Sequence, residues 1–129
     1  MKKISLLLLS SILAACASKP SVDRFEAAWN EGRHNERETA DGFRYIKEMV
    51  VGLGPALTES RAQCKNVSDE PKYSSVRLVM KLDLSGAVSE AMVRPSNAHW
   101  ECVKDSLSKK RFPPPPRDSF WTSGDIGNR

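Results

Sequence analysis

Residues 78–94 constrain this chain more than any other stretch. Leu78, Met80, Leu82 and Leu84 alternate with Val79, Lys81 and Asp83, the period of a half-buried strand. Ser85-Gly86 supplies a turn, because glycine takes positive φ without a steric penalty. The chain returns as a second strand from Val88 to Arg94. There Val88, Ala91 and Val93 do not alternate strictly, which predicts a bulge on that strand. Pro95 and Ser96 end it, and Ser96 or Asn97 caps a helix over 98–110. Cys102 or Val103, then Ser106 or Leu107, face inward on that helix.

Upstream, Asp23 to Arg33 forms one helix, with Ser21 or Asp23 as cap and Phe25 and Trp29 one turn apart on one face. The run "EGRHNERETADG" is charged and carries two glycines, so a loop or frayed helix is expected there. Phe43, Ile46, Val50 and Leu53 recur at helical intervals. Gly52-Leu53-Gly54-Pro55 should kink or end that helix, since proline lacks an amide hydrogen and clashes one turn back. A further helical turn from Pro55 carries Leu57 and Cys64. The sum is an α+β chain: a small antiparallel sheet, made of the hairpin and a third strand near Ser119–Thr122, with helices packed on one face.

The amino terminus sets the compartment. Lys2 and Lys3 precede an apolar stretch, Ile4 to Ala15, interrupted only by Ser5, Ser10 and Ser11. A membrane-spanning helix needs roughly 20 apolar residues, so this one has the size of a signal-peptide core. Leu13-Ala14-Ala15-Cys16 resembles the bacterial lipobox. The resemblance implies cleavage before Cys16, lipid on its sulfur and acylation of the new amino terminus. At about 0.8 kcal/mol per buried methylene, three acyl chains anchor a protein durably. Ala17, rather than aspartate, after the cysteine is similar to the outer-membrane class. The expected location is the cell envelope, lipid-anchored and facing the periplasm. Residues 1–15 are then the signal peptide and 16–22 a lipidated tether, of which 17–22 reach at most about 20 Å.

Without Lys2 and Lys3, the 20 basic side chains fall to 18 against 16 acidic, a balance that does not suggest nucleic acid as partner. With Cys16 lipidated, Cys64 and Cys102 remain. In an oxidising periplasm they read as one disulfide, worth about 3–4 kcal/mol by chain entropy. The alternatives are a metal pair or a reactive thiol. His34 and His99 lack ligand spacing with the cysteines, and a nucleophilic Cys102 beside His99 has no orienting third group.

The stretch "VRLVMKLDLSGAVSEAMVRPSNAHWECVKDSLSKKRFPPPP" resembles the C-terminal domain of TonB-type energy transducers: strand, glycine turn, strand, serine-led helix, then "FPP". It is more similar still to the two-cysteine version in motility-type TonB-like proteins, matched by Cys64, Gly86, Val88, Ser96, Cys102, Phe112 and Pro113. The resemblance implies a TonB C-terminal-like domain over 55–122; the helical segment over 23–54 precedes it, and a flexible tail is expected over 123–129. It also implies an exposed sheet edge able to accept a partner strand. TonB's inner-membrane helix and long proline-rich spacer have no counterpart in this sequence.

"KKRFPPPPR" offers a polyproline-II ligand or, as in the resembling family, a stiff passage from the last helix to the third strand. Lys109-Lys110-Arg111 suits a helix C-terminus. Phe120 and Trp121 close the core or form a partner-binding patch. Glu36 and Glu38 belong to a solvated charged run. The sequence has no G-x-S-x-G, H-E-x-x-H, phosphate-binding glycine loop or metal-ligand cluster. The expectation is therefore a non-enzymatic lipoprotein without cofactor, metal or small-molecule substrate. Its partners are the membrane, through Cys16, and an envelope protein of a transport, secretion or motility assembly. The alternative is an immunity or inhibitor lipoprotein that binds a cell-wall-targeting enzyme.

Overall fold

A computed structural model describes residues 23–67 and 75–127; Cys16, the lipobox and the tether lie outside the described residues. The elements are α1 (Arg24–Glu38), α2 (Ala40–Gln63), β1 (Ser75–Leu82), β2 (Val88–Arg94), α3 (Ala98–Ser108) and β3 (Phe120–Gly127). The three strands form one antiparallel sheet in the order β2-β1-β3. The α+β architecture is the one that the strand and helix periods predict. No helix among the described residues is long and apolar enough to cross a membrane.

Asp23 caps α1, its Oδ1 accepting from the amides of Phe25 at 2.9 Å and Glu26 at 3.3 Å. The helix then runs straight through the first part of the stretch expected to be a loop. Its buried stripe is Phe25, Ala28, Trp29, Gly32, Asn35 and Glu36, an unbroken three- and four-residue period. Thr39 is extended and starts α2, whose Gly42 amide donates to the Thr39 hydroxyl at 3.2 Å. Both glycines of the run are contact points. A Cβ on Gly32 would sit 2.9 Å from the Thr122 carbonyl carbon, and one on Gly42 would sit 1.8 Å from the Asn35 carbonyl oxygen.

Pro55 does not end α2, which continues as one helix to Gln63. The boundary expected between 54 and 55 therefore falls inside an element. Leu53, Ala56 and Leu57 all pack against the core around the proline, and that burial outweighs the cost of roughly 3 kcal/mol for an interior proline. Val51, whose carbonyl would have accepted from residue 55, lies on the exposed side of the helix, where water can serve it.

The bulge falls on β2, as predicted. Lys81 pairs with Glu90 and Leu82 with Val88, leaving Ser89 as the extra residue, its hydroxyl donating to the Lys81 carbonyl at 3.2 Å. β1 stops at Leu82. Leu84, expected to continue the buried face, is exposed in the turn, because the Asp83 carboxylate gathers the amides of Ser85 and Ala87 and bends the chain first. Gly86 takes φ 83° there and lies against the Phe112 carbonyl.

The sheet is covered on both sides, not on one. Even-numbered β1 residues (Val76, Leu78, Met80, Leu82) meet Tyr45 and Met49 of α2, Trp100, Val103 and Leu107 of α3, and Phe120. Val79 points the other way, into a second cluster of Phe25, Ala28, Trp29 and Trp121 beneath α1. Arg77 lies over the rings of Phe25 and Trp29, pairs with Glu26 at 2.9 Å and so seals that layer, while Arg94 holds Asp23 at 3.0 Å. Charged residues flanking Val79 lay their stems over the aromatic rings, which hides the second buried face from a simple alternation rule.

The Cys64–Cys102 disulfide is present, with Cα atoms 5.9 Å apart, and joins the end of α2 to α3. Val103 and Leu107, rather than Cys102 and Ser106, fill the core. α3 ends at Ser108, capped by Asn97 and terminated at Lys109, so it is two residues shorter than expected at its C-terminus. The proline run packs instead of projecting: Phe112 is buried, and the Tyr45 hydroxyl donates to the Pro113 carbonyl at 2.8 Å. β3 follows and extends to Gly127, so most of the expected tail over 123–129 is strand; residues 128 and 129 lie outside the described residues.

Candidate functional site

Phe120 and Trp121 do not form a surface patch. Successive strand residues point to opposite faces, so Phe120 enters the α2–α3 core at 1 % exposure and Trp121 the α1 core at 7 %. Phe120 meets Tyr45 edge-on with ring centroids 5.3 Å apart. Their partner-binding role is thereby corrected to a structural one. Cys102 is bonded to Cys64 and holds no thiol in this state. The His99 ring faces the Cys64 carbonyl, with Nδ1 3.3 Å from its oxygen. Among the described residues, no group of three His, Cys, Asp or Glu could hold a metal ion.

An apolar groove of about 350 Å³ lies between α2 and the outer half of β3. Ile46, Met49, Leu53 and Leu57 form one wall, and Leu78 and Met80 the floor; residues 122–127 form the other wall. Its depth comes from a missing side chain. Gly124 lies opposite Leu78 in the register, and a Cβ built on it meets nothing within 4 Å. Val50 stands at the rim, 60 % exposed. Asp125 is the one ionisable residue of the lining.

The β3 edge beside this groove is divided. In an antiparallel pair, backbone groups point alternately toward and away from the neighbour. Thr122 is paired inward against Met80, so Trp121, Ser123, Asp125 and Gly127 turn their amides and carbonyls outward. α1 takes the first two. The Asn35 Nδ2 donates to the Trp121 carbonyl at 3.1 Å, and the Ser123 amide donates to the Glu36 carboxylate at 2.7 Å. The Ser123 hydroxyl donates to the other Glu36 oxygen at 3.2 Å. Arg117 orients the arrangement by donating to Asn35 Oδ1 at 2.8 Å. Beyond Ser123, no group among the described residues takes the outward groups of Asp125 and Gly127.

Glu36 is buried at 8 % exposure and is not on a solvated face; Glu38 is exposed and pairs with His34 at 2.6 Å. Burial pushes the Glu36 carboxyl above its ordinary value, opposed by the two bonds from Ser123 and by the charges of Arg37 and Arg33. The groove and Glu36 are the features the sequence reading missed. The signal for Glu36 was available, because Asn35 and Glu36 continue the helical stripe begun by Phe25, Ala28, Trp29 and Gly32. The groove had no such signal, since it depends on α2 running unbroken past Pro55 and on β3 extending beyond Thr122.

Compared with protein-family models, curated proteins and solved structures, the chain matches none.

Proposed function

We propose that this chain is a non-enzymatic lipoprotein of the bacterial envelope, anchored by acyl chains on Cys16, that serves as an adaptor in a transport, secretion or motility assembly. It binds by taking an extended segment of a partner protein along the free end of β3, with apolar side chains seated in the groove. The observation that carries this reading is the coincidence of two unmet needs at one place. Unpaired strand groups at Asp125 and Gly127 border an exposed apolar groove floored by Leu78 and Met80. Strand addition uses main-chain bonds for affinity and pockets for alternate side chains for specificity. The lipobox-like start and the TonB-like stretch support the same class of role. α1 narrows the usable edge, so the pairing is short and the groove supplies most of the contact.

The test uses Gly124. Because the space above it is open, Gly124→Leu should fold while filling the groove. A photo-reactive residue at Val50 should cross-link one envelope protein in cells, and Gly124→Leu should abolish that product. Unchanged cross-linking in folded Gly124→Leu would sink the groove as the binding site. Recovery of a single wall-degrading enzyme would instead favour the immunity reading. Loss of lipid-modified mass in Cys16→Ser, with the wild type carrying it, tests the anchor separately.

A further inference from the structure

Glu36 poses a problem that folding stability does not solve. A carboxylate moved out of water loses solvation, and an apolar side chain at the end of the Phe25–Trp29 stripe would avoid that cost. The position is nonetheless spent on two hydrogen bonds to one residue, Ser123, at the middle of an edge strand. Its neighbour Asn35 takes the carbonyl two residues earlier. Together they occupy the acceptor at Trp121 and the donor at Ser123, the spacing that an incoming antiparallel strand would use.

Gly32 makes this possible. With no side chain there, α1 approaches until a Cβ would lie 2.9 Å from the Thr122 backbone. The next turn then brings Asn35 and Glu36 level with the edge. Arg117 fixes the Asn35 amide so that its Nδ2, not its oxygen, faces the Trp121 carbonyl.

We infer that Asn35 and Glu36 act as an edge guard, and that the partner a bared β3 edge would accept is a second copy of this chain. Three features favour a second copy. β3 is eight residues long, enough for a continuous ladder once Trp121 and Ser123 are freed. Two identical edges paired antiparallel about a twofold axis satisfy each other without a new sequence. The groove runs along the same strand, so pairing also brings apolar surface together. An unprotected edge beside exposed apolar residues is the ordinary route to such association. Among the described residues the guard leaves only Asp125 and Gly127 open, too short a ladder for two copies to hold. This inference concerns the free chain and does not depend on a partner protein, so it can fail while the proposed function stands, and the reverse.

Sedimentation velocity on the full chain, in a non-ionic detergent that keeps the amino-terminal segment dispersed, tests it. Wild type should sediment as a monomer and Asn35→Ala/Glu36→Ala, which frees both Trp121 and Ser123, as a concentration-dependent dimer. Glu36→Gln, which keeps an acceptor for the Ser123 amide, should remain monomeric. Adding Ser123→Pro to Asn35→Ala/Glu36→Ala removes the edge donor at a position where proline is tolerated and should restore the monomer. A folded Asn35→Ala/Glu36→Ala that stays monomeric, or a dimer that persists once Ser123→Pro is added, overturns the guard. Should Asn35→Ala/Glu36→Ala fail to fold, hydrogen exchange on wild type decides. The Ser123 amide should exchange at least about tenfold more slowly than those of Asp125 and Gly127, as a charge-assisted bond supports. Equal rates would refute the inference.

Discussion

Cutting the disulfide gives the sharpest measure of how the two helices that carry the α2–α3 core are held. Cys64 ends α2 and Cys102 sits in the second turn of α3, 38 residues apart in sequence. Closing a loop of that length in the unfolded chain removes about 13 cal/mol/K, or about 4 kcal/mol at 25 °C. Cys64 is 1 % exposed, so replacing it with alanine also leaves a small cavity worth up to about 1 kcal/mol. Cys64→Ala/Cys102→Ala should therefore lose about 4–5 kcal/mol, a large share of the about 5–15 kcal/mol typical of a domain. In urea, with a slope of about 1–3 kcal/mol/M, the midpoint should fall by more than about 1 M. Reduced wild type separates the two contributions, because it keeps both sulfur atoms while opening the loop. A loss below about 1 kcal/mol in the double variant would refute the reasoning, since it would mean that the unfolded chain keeps these segments together unaided.

Trp29→Ala should cost about 3–5 kcal/mol in urea unfolding, because the ring packs between Phe25, Val79 and Trp121 and carries Arg77 over it; a loss under about 1 kcal/mol would mean α1 is not part of the folded unit. Gly86→Ala should lose at least about 1–2 kcal/mol from the left-handed conformation alone, and more because the added Cβ would sit 1.9 Å from the Phe112 carbonyl oxygen, read as a lower thermal midpoint. Glu36 sets a pH dependence. Its folded-state carboxyl titrates higher than in the unfolded chain, where the ordinary value is 4.5, so the folded form holds the proton more tightly. Stability from this group is greatest below the unfolded value and declines as pH rises through the folded one. Glu36→Gln removes that decline, and its stability relative to wild type should be more favourable at pH 7 than at pH 4 in matched urea titrations. A relative stability that moves in the opposite direction would contradict the burial argument.

The hairpin was legible because its determinants are local. Gly86 has to take positive φ, Ser89 breaks the alternation where the bulge lies, and Asn97 caps α3. The cysteine pairing followed from the count, with Cys16 set aside by its lipobox-like context. The opposite layer was not legible from alternation, although Leu78-Val79-Met80 is a run of three apolar residues and such runs mark strands buried on both faces. At Gly32, Gly42 and Pro55 the local signal pointed the wrong way. Each residue type breaks helices in isolation, yet here two of them admit close backbone contact and the third is carried by the burial of Leu53, Ala56 and Leu57. The candidate site depends on those three non-local outcomes, and only the stripe through Glu36 announced any part of it.

The bonds from Asp23 and Glu26 to Arg94 and Arg77 fasten the start of α1 near the β2 side of the sheet, on the face away from the groove. Tension arriving through the amino terminus therefore loads that rivet and the aromatic layer beneath it first. The groove lies on the opposite face of the sheet, so the load reaches it only through the strands and through the bonds of Asn35 and Glu36 to β3.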